Sequence, residues 1–184
     1  QDVPKNVSTT LSSVSSLGFT ASASTPTVSF IGWSLGAEDK TIKYTDTEKV
    51  TLSADTNLFA QWAETTDITF AAGATDATGT MGTQTVGRGY ETTLLANGFK
   101  RTGYNFIGWS KTPGATTADY TTTINLASDA EATLTLYAVW EKKTYTVEFY
   151  DENGTTKLTE ISVPYEETPT STPNPTKAPD DTKV

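Results

Sequence analysis

The stretch Phe30-Ile31-Gly32-Trp33 returns as Phe106-Ile107-Gly108-Trp109, 76 residues further along the chain. Each copy is closed by an apolar run that ends in tryptophan, Leu58–Trp62 in the first copy and Leu136–Trp140 in the second. All four tryptophans of the protein lie in these two phrases. Large hydrophobic side chains placed on a repeating frame are typical of a modular protein, in which the frame holds each module together.

Composition excludes several classes of function. The formal net charge is −9 and the chain has no basic cluster, which disfavours nucleic acid and anionic membrane surfaces as partners. Cysteine and histidine are absent, so disulfides, serine–histidine–acid triads, cysteine nucleophiles and the usual zinc sites are not available. No stretch approaches the ~20 apolar residues of a membrane span, so we predict no direct membrane insertion.

Acidic residues are plentiful, and a pair of carboxylates as in glycosidases is formally possible. Nothing distinguishes two of them as a catalytic pair. Glu166-Glu167 and Asp180-Asp181 lie in a polar tail, where solvated charge is the simpler interpretation. We therefore predict that the protein is not an enzyme and has no cofactor, metal or catalytic residues.

The closing runs alternate as half-buried strands do, with Leu134, Leu136, Ala138 and Trp140 on one side. Polar residues follow each closing tryptophan and lead into a further strand, of which Ile68-Thr69-Phe70 is the first example. The polar segment between the two phrases of a copy has room for a short helix or a looped crossover, around 121–127 in the second copy.

The second of these following strands spans Thr144–Tyr150, in which Tyr145, Val147 and Phe149 share a face. Asp151–Gly154 then forms a hairpin turn, because Asn-Gly readily supplies positive φ angles. Thr155–Pro164 returns as the partner strand. From Thr168 onward, proline and threonine predict an extended spacer.

These residues resemble a known family. Gly98–Trp109 followed by Leu136–Trp140 closely resembles the Listeria–Bacteroides repeat, the B-repeat module of internalin-like and other bacterial surface proteins. The resemblance implies an α+β, strand-dominated fold of tandem small β-grasp-like modules with at most one short helix each. It also implies tandem arrays on exported, often wall-anchored proteins, where such modules act as stalks or adhesion modules.

The repeat divides the chain into three parts, which we name the first repeat (residues 1–63), the second repeat (residues 64–141) and the C-terminal part (residues 142–184). The second repeat is expected to be complete. The first is degenerate, because 21–28 replaces the usual Arg-Thr-Gly-Tyr segment and its opening hairpin is not recognisable. The C-terminal part contributes the opening hairpin of a third repeat and a Pro/Thr-rich tail.

The repeated frame has two interpretations, a hydrophobic core and a stacking platform for sugars. A repeated aromatic at strand periodicity favours the core. Gly32 and Gly108 are expected to allow a bend or a close backbone approach next to each tryptophan. The frame consists of Phe30, Gly32, Trp33, Leu58 and Trp62 in the first repeat and of Phe106, Gly108, Trp109, Leu136, Tyr137 and Trp140 in the second.

Two interpretations of the chain ends remain open. The strand of Tyr145, Val147 and Phe149 in one molecule completes the first repeat of the next, head to tail, or the boundaries merely cut a longer array within a repeat. Under the first interpretation, the expected partners beyond neighbouring repeats are further copies of the same chain; under the second, they are neighbouring repeats alone.

The sequence as a whole predicts a tandem-repeat stalk or adhesion scaffold, extracellular at the bacterial cell surface. The alternative is a binding module that grips a host protein or glycan through a sheet edge or aromatic face.

Overall fold

The computed structural model describes residues 4–20 and 28–170, and these residues form twelve β-strands and no helix. The fold is therefore strand-dominated, as predicted. The strands are β1 (Ser8–Thr10), β2 (Ser29–Ser34), β3 (Lys49–Thr51), β4 (Phe59–Ala63), β5 (Thr65–Ala71), β6 (Gln84–Gly87), β7 (Glu91–Thr93), β8 (Tyr104–Ser110), β9 (Thr123–Asn125), β10 (Thr133–Lys142), β11 (Thr144–Tyr150) and β12 (Lys157–Pro164).

The second repeat is built on a four-stranded sheet in the order β6-β5-β10-β8. β5 and β10, its first and last strands along the chain, run parallel in the centre of the sheet, with Phe70 opposite Leu136. The two outer strands pair antiparallel with them. Ile68 and Leu136 are fully buried, because alternate residues of both central strands face the same core.

Aromatic rings surround Trp109 in this core, where only 1% of its surface is exposed. Its ring centroid lies 4.7 Å from that of Phe70, 4.9 Å from that of Phe106 and 6.2 Å from that of Phe99. These contacts join β5, β8 and the loop that precedes β8, so the indole connects parts of the repeat that are distant in sequence.

A two-stranded ladder, β7 with β9, covers the open side of this core. Ile124 in β9 is 2% exposed and packs beside Leu94 and Leu126. The segment around 121–127 thus contains a strand and no helix. Its residues Thr121–Thr123 are β-branched, and they lead Ile124 into the core with strand alternation.

The first repeat reproduces four of the six strands of the second repeat. β2 pairs with β4 as β8 pairs with β10, and β1 pairs with β3 as β7 pairs with β9. Its core contains Leu11, Trp33 and Val50, the counterparts of Leu94, Trp109 and Ile124. Within residues 4–20 and 28–63, no strand corresponds to β5 or β6.

The tail from residue 171, with its spacer prediction and Asp180-Asp181, lies outside the described residues, as does most of the segment that replaces Arg-Thr-Gly-Tyr in the first repeat. The part of the chain that the structure describes contains no helix long and apolar enough to cross a membrane.

Glycine before tryptophan allows a second chain segment to cross close to the strand. Gly32 and Gly108 have φ angles of 136° and 143°, in the region that side chains disfavour. The adjacent Trp109 amide donates to the carbonyl oxygen of Tyr120 at 2.7 Å, and Trp33 does the same to Tyr44 at 2.8 Å. A bend and a close backbone approach therefore occur together at this position.

We predict that Gly108→Ala destabilises the second repeat by about 2–4 kcal/mol, since strain at positive φ adds to overpacking. A Cβ atom would lie 2.5 Å from the Tyr120 carbonyl oxygen and 2.6 Å from the Ala118 side chain. Thermal unfolding followed by tryptophan fluorescence measures the effect. Gly82→Ala is the matched control, because its Cβ meets nothing within 4 Å. Equal melting temperatures for the two variants would contradict the prediction.

Candidate functional site

The frame residues lie mainly in the interior of the two repeats. Trp33 and Trp109 are 5% and 1% exposed, whereas Trp62 and Trp140 are half-buried at the end of the closing strands. The Trp140 indole N–H donates to the carbonyl oxygen of Ala72 at 2.8 Å. Each half-buried indole also stacks edge-on against a phenylalanine of the opening phrase. Tyr137, on β10, is half-buried as well.

A short link with many contacts joins the first repeat to the second, and we call it the first joint. Only Glu64 separates β4 from β5. The Glu64 carboxylate pairs with Arg88 at 3.1 Å, and the Arg88 amide donates to the Glu64 carbonyl oxygen at 2.9 Å. Ile31 packs directly on Gly87, where any Cβ atom would overlap its side chain. The two repeats are therefore held in a defined orientation.

A buried hydrogen-bond chain also crosses the first joint. The Tyr90 hydroxyl donates to the Gln61 side-chain oxygen at 3.1 Å, and the Gln61 amide donates to the Ser34 hydroxyl at 2.7 Å. Lys40 donates to the Tyr90 hydroxyl at 3.1 Å and lies over its ring. Gln61 and Tyr90 are 5% and 8% exposed, so this network is largely shielded from water.

The second joint lies between the second repeat and the C-terminal hairpin β11–β12, and it also consists of a one-residue link with side-chain contacts around it. Only Lys143 separates β10 from β11, and its amide donates to the Gly103 carbonyl oxygen at 2.8 Å. The Tyr165 ring packs edge-on against Tyr104 with centroids 6.0 Å apart. Lys142 and Glu167 form an exposed ion pair at 2.9 Å, which raises the pKa of Lys142.

An open groove of about 850 Å³ lies on the first repeat, and we call it the groove. It is lined by Leu11, Phe19, Trp33, Leu52, Leu58 and the polar stretch 54–57. Phe19 is 49% exposed here, whereas its counterpart Phe99 is 7% exposed. Phe19, Leu52 and Leu58 are thus more exposed than their counterparts in the closed core of the second repeat, whereas Leu11 and Trp33 remain buried.

The hairpin β11–β12 carries the three residues predicted as an intermolecular strand. Val147 and Phe149 are half-buried and Tyr145 is 50% exposed. Directly across the ladder from them lie Ile161, Thr159 and Val163. Cross-strand partners share a face, so the hairpin presents one apolar face. Lys157 binds Glu148 and Glu160 on the opposite face, which raises the pKa of Lys157.

No group of three or more Asp, Glu, His or Cys side chains that could hold a metal ion occurs in residues 4–20 and 28–170. Glu166 and Glu167 are exposed at the second joint, where Glu167 serves as an ion-pair partner. Where the pKa of an acidic side chain in the described chain is lowered, the main cause is a hydrogen bond from a side chain or a main-chain amide of a loop or strand. These groups stabilise local structure.

Sequence reasoning missed the residues of both joints. Gln61 gave one usable signal, a polar side chain inside the apolar closing run where its counterpart is Val139. Tyr90, Arg88 and Tyr165 gave none, because their importance depends on which residues of the neighbouring repeat they meet.

We predict that Tyr90→Phe lowers the free energy of unfolding by about 1–3 kcal/mol, because the buried Gln61 oxygen loses its donor. Urea unfolding measures this loss. Tyr150→Phe is the control, because it removes only an exposed hydrogen bond from the Tyr150 hydroxyl to Glu148. We expect it to change the free energy of unfolding by no more than about 0.5 kcal/mol. The effect of Tyr90→Phe should largely vanish in a Gln61→Met background. An undiminished effect there would show that the Tyr90 hydroxyl acts elsewhere.

The Asp119 carboxylate accepts hydrogen bonds from the Lys111 main-chain amide at 2.9 Å and from the Ser110 hydroxyl at 2.8 Å. These donors lower the pKa of Asp119. A lowered pKa stabilises the fold above the unfolded-state pKa of about 4, and this stability is lost as the pH falls through the folded-state value. Asp119→Asn should therefore melt below wild type at pH 7, and the difference in melting temperature should narrow as the pH falls below about 4. A pH-independent gap would contradict this assignment.

A family model described as the Listeria-Bacteroides repeat domain matches the chain twice, at residues 4–61 and 67–139. A search of curated proteins and a search of solved structures each found no match. The family is associated with bacterial surface proteins, and its domain is generally a non-catalytic surface repeat. The two matches together cover more than half of the chain and include both Phe-Ile-Gly-Trp phrases, whereas Trp62 and Trp140 lie just outside them. The chain therefore belongs to the Listeria-Bacteroides repeat family and carries two of its repeats.

Proposed function

We propose that this chain is a non-catalytic stalk or adhesion scaffold of an exported bacterial surface protein, located outside the cell at the bacterial surface. The observation that carries the proposal is the pair of joints. Each links successive units through one residue, Glu64 or Lys143, and braces them with side-chain contacts. A tandem array with braced joints holds its ends apart, which is the mechanical task of a spacer.

The fold that we propose for each repeat is β-grasp-like. The order β6-β5-β10-β8, with the first and last strands parallel at the centre, supports this assignment for the second repeat. The functional units are then the first repeat at 1–63, the second at 64–141 and the C-terminal part at 142–184. Acidic surfaces with a net charge of −9 favour solubility and mutual repulsion of neighbouring stalks.

Small-angle X-ray scattering of the whole chain tests the spacer function. We expect a scattering profile that one extended arrangement fits, because the first joint fixes the orientation of the repeats. A four-residue glycine–serine insertion after Glu64 breaks this brace and should require an ensemble of arrangements. The same insertion in the exposed loop after Gly82 is the matched control and should leave the profile of the whole chain close to wild type. Equal flexibility of wild type and joint variant would overturn the proposal.

A second function, binding of a host protein or glycan, is favoured by one surface feature. The Arg101 guanidinium stacks over the Tyr104 ring at 3.6 Å near the second joint, and such cation–aromatic surfaces are frequent in recognition sites. Binding screens against glycans and host surface proteins with wild type and Tyr104→Ala test it. Absence of any ligand favours the spacer, whereas a ligand lost in the variant favours recognition.

We predict that residues 64–141 fold alone and unfold cooperatively, whereas residues 1–63 alone are far less stable. The second repeat buries Ile68, Phe70 and Val86 of its opening hairpin, and each such side chain contributes about 1.5–3 kcal/mol. Circular dichroism during heating of both fragments measures the difference. Comparable melting temperatures would contradict this division of the chain.

A further inference from the structure

We propose that the groove of the first repeat binds the hairpin β11–β12 of a second copy of this chain, with β11 adding in parallel beside 55–59. The inference rests on the proposed scaffold function and names its partner. Four observations support it, and they concern the filled counterpart of the groove, its lining, its free strand edge and the hairpin.

The second repeat shows what fills this space. There the hairpin β5–β6 packs Ile68, Phe70 and Val86 into the core, at 0%, 6% and 2% exposure. The Phe70 ring lies 4.7 Å from that of Trp109, whose counterpart Trp33 lines the groove. A hairpin with three apolar side chains is therefore the natural occupant of this site.

The lining of the groove matches the lining of the filled site. Five groove side chains have core counterparts in the second repeat. The pairs are Leu11 and Leu94, Phe19 and Phe99, Trp33 and Trp109, Leu52 and Leu126, and Leu58 and Leu136. Aliphatic residues match aliphatic residues and rings match rings at every position. At these five positions the groove thus has the same types of side chain as the filled hairpin site of the second repeat.

The strand edge beside the groove is also unpaired. β10 begins at Thr133 because its first residues pair with β5, whereas β4 begins only at Phe59. Residues 55–58, the counterparts of 133–136, have no strand partner within the described residues. An unpaired edge of this kind is a template for strand addition.

The hairpin β11–β12 matches β5–β6 residue by residue. Tyr145 faces Val163 in the same ladder position as Thr66 faces Val86. Val147, Phe149 and Val163 thus occupy the positions of Ile68, Phe70 and Val86. Among the described residues, β11 pairs only with β12, so its other edge is open. Transferring the register of β5 and β10 places Glu148 beside Asn57 and Phe149 beside Leu58.

The contact is heterologous, because the donor hairpin and the acceptor groove are different surfaces. Such contacts extend head to tail into open chains rather than closed dimers. Each copy carries a net charge of −9, so salt should strengthen the association by screening repulsion between copies.

Analytical ultracentrifugation of the whole chain tests association. The weight-average mass should rise by about twofold or more between micromolar and submillimolar protein, and rise further with salt. Phe149→Asp should abolish the rise. Thr146→Asp, which places the same charge on the opposite face of β11, is the matched control and should retain it. A monomer at every concentration and salt, or equal loss in both variants, would overturn the proposal and leave the spacer function standing.

Mixing variants tests the direction of assembly. Phe149→Asp retains a free groove, and Leu58→Asp retains a free hairpin. Each alone should stay monomeric, and the mixture should stop at a one-to-one dimer. Continued growth of the mixture, or no dimer from two folded variants, would overturn the head-to-tail arrangement.

Engineered cysteines test the register even if an aspartate variant fails to fold, because the chain has no cysteine of its own. Asn57→Cys combined with Glu148→Cys should give a ladder of disulfide-linked oligomers on oxidation, since neighbouring strands bring the two sites within disulfide reach. Asn57→Cys with Glu160→Cys is the control, because Glu160 lies across from Glu148 on β12. A monomer for the first pair, or an equal ladder for both pairs, would overturn the proposed register.

Discussion

Burial of one indole in each repeat is the constraint on which the rest of the structure depends. Trp109 is 1% exposed, and removing a side chain of this size from water contributes about 4–6 kcal/mol. No single strand can cover it. Rings from β5, from β8 and from the loop that precedes β8 all close on it, so the repeat gains this stability only when distant segments meet. This explains why the Phe-Ile-Gly-Trp phrase recurs as a unit and why glycine precedes tryptophan in both copies.

The sequence was a good guide wherever a residue acts through its own strand. Alternation along β10, the recurring phrase and the Asn153-Gly154 turn all depend on local geometry, and the structure has strands and a hairpin loop at these places. The ladder of β7 with β9 escaped prediction because its strands have three residues each and mostly polar side chains. Their strand state depends on pairing across 30 residues, which no local pattern reveals. The joints escaped for the same reason, since Tyr90 gains its role from Gln61 in another repeat.

Comparison of the two repeats isolates the contribution of the opening hairpin. The β2–β4 and β1–β3 ladders form without it, since their registers match those of the second repeat. The hairpin instead completes the core, because Leu136 is fully buried while its counterpart Leu58 is half-buried. Secondary structure in this chain is thus specified within the body of each repeat, and full burial of the leucine in the closing strand requires the hairpin.

The order of the strands along the chain couples each joint to the core of the repeat that follows it. The last strand of one repeat is followed after a single residue by the hairpin of the next, so each hairpin is anchored to the repeat before it. In the second repeat the hairpin β5–β6 contacts Ile31 of the first repeat and the linking residue Glu64 on one side, and the Trp109 core on the other. One element therefore serves both as the brace of a joint and as the lid of a core. Mechanical continuity of the array and stability of its repeats then depend on the same hairpin, so a force that pulled this hairpin away at the joint would also uncover the core beyond it.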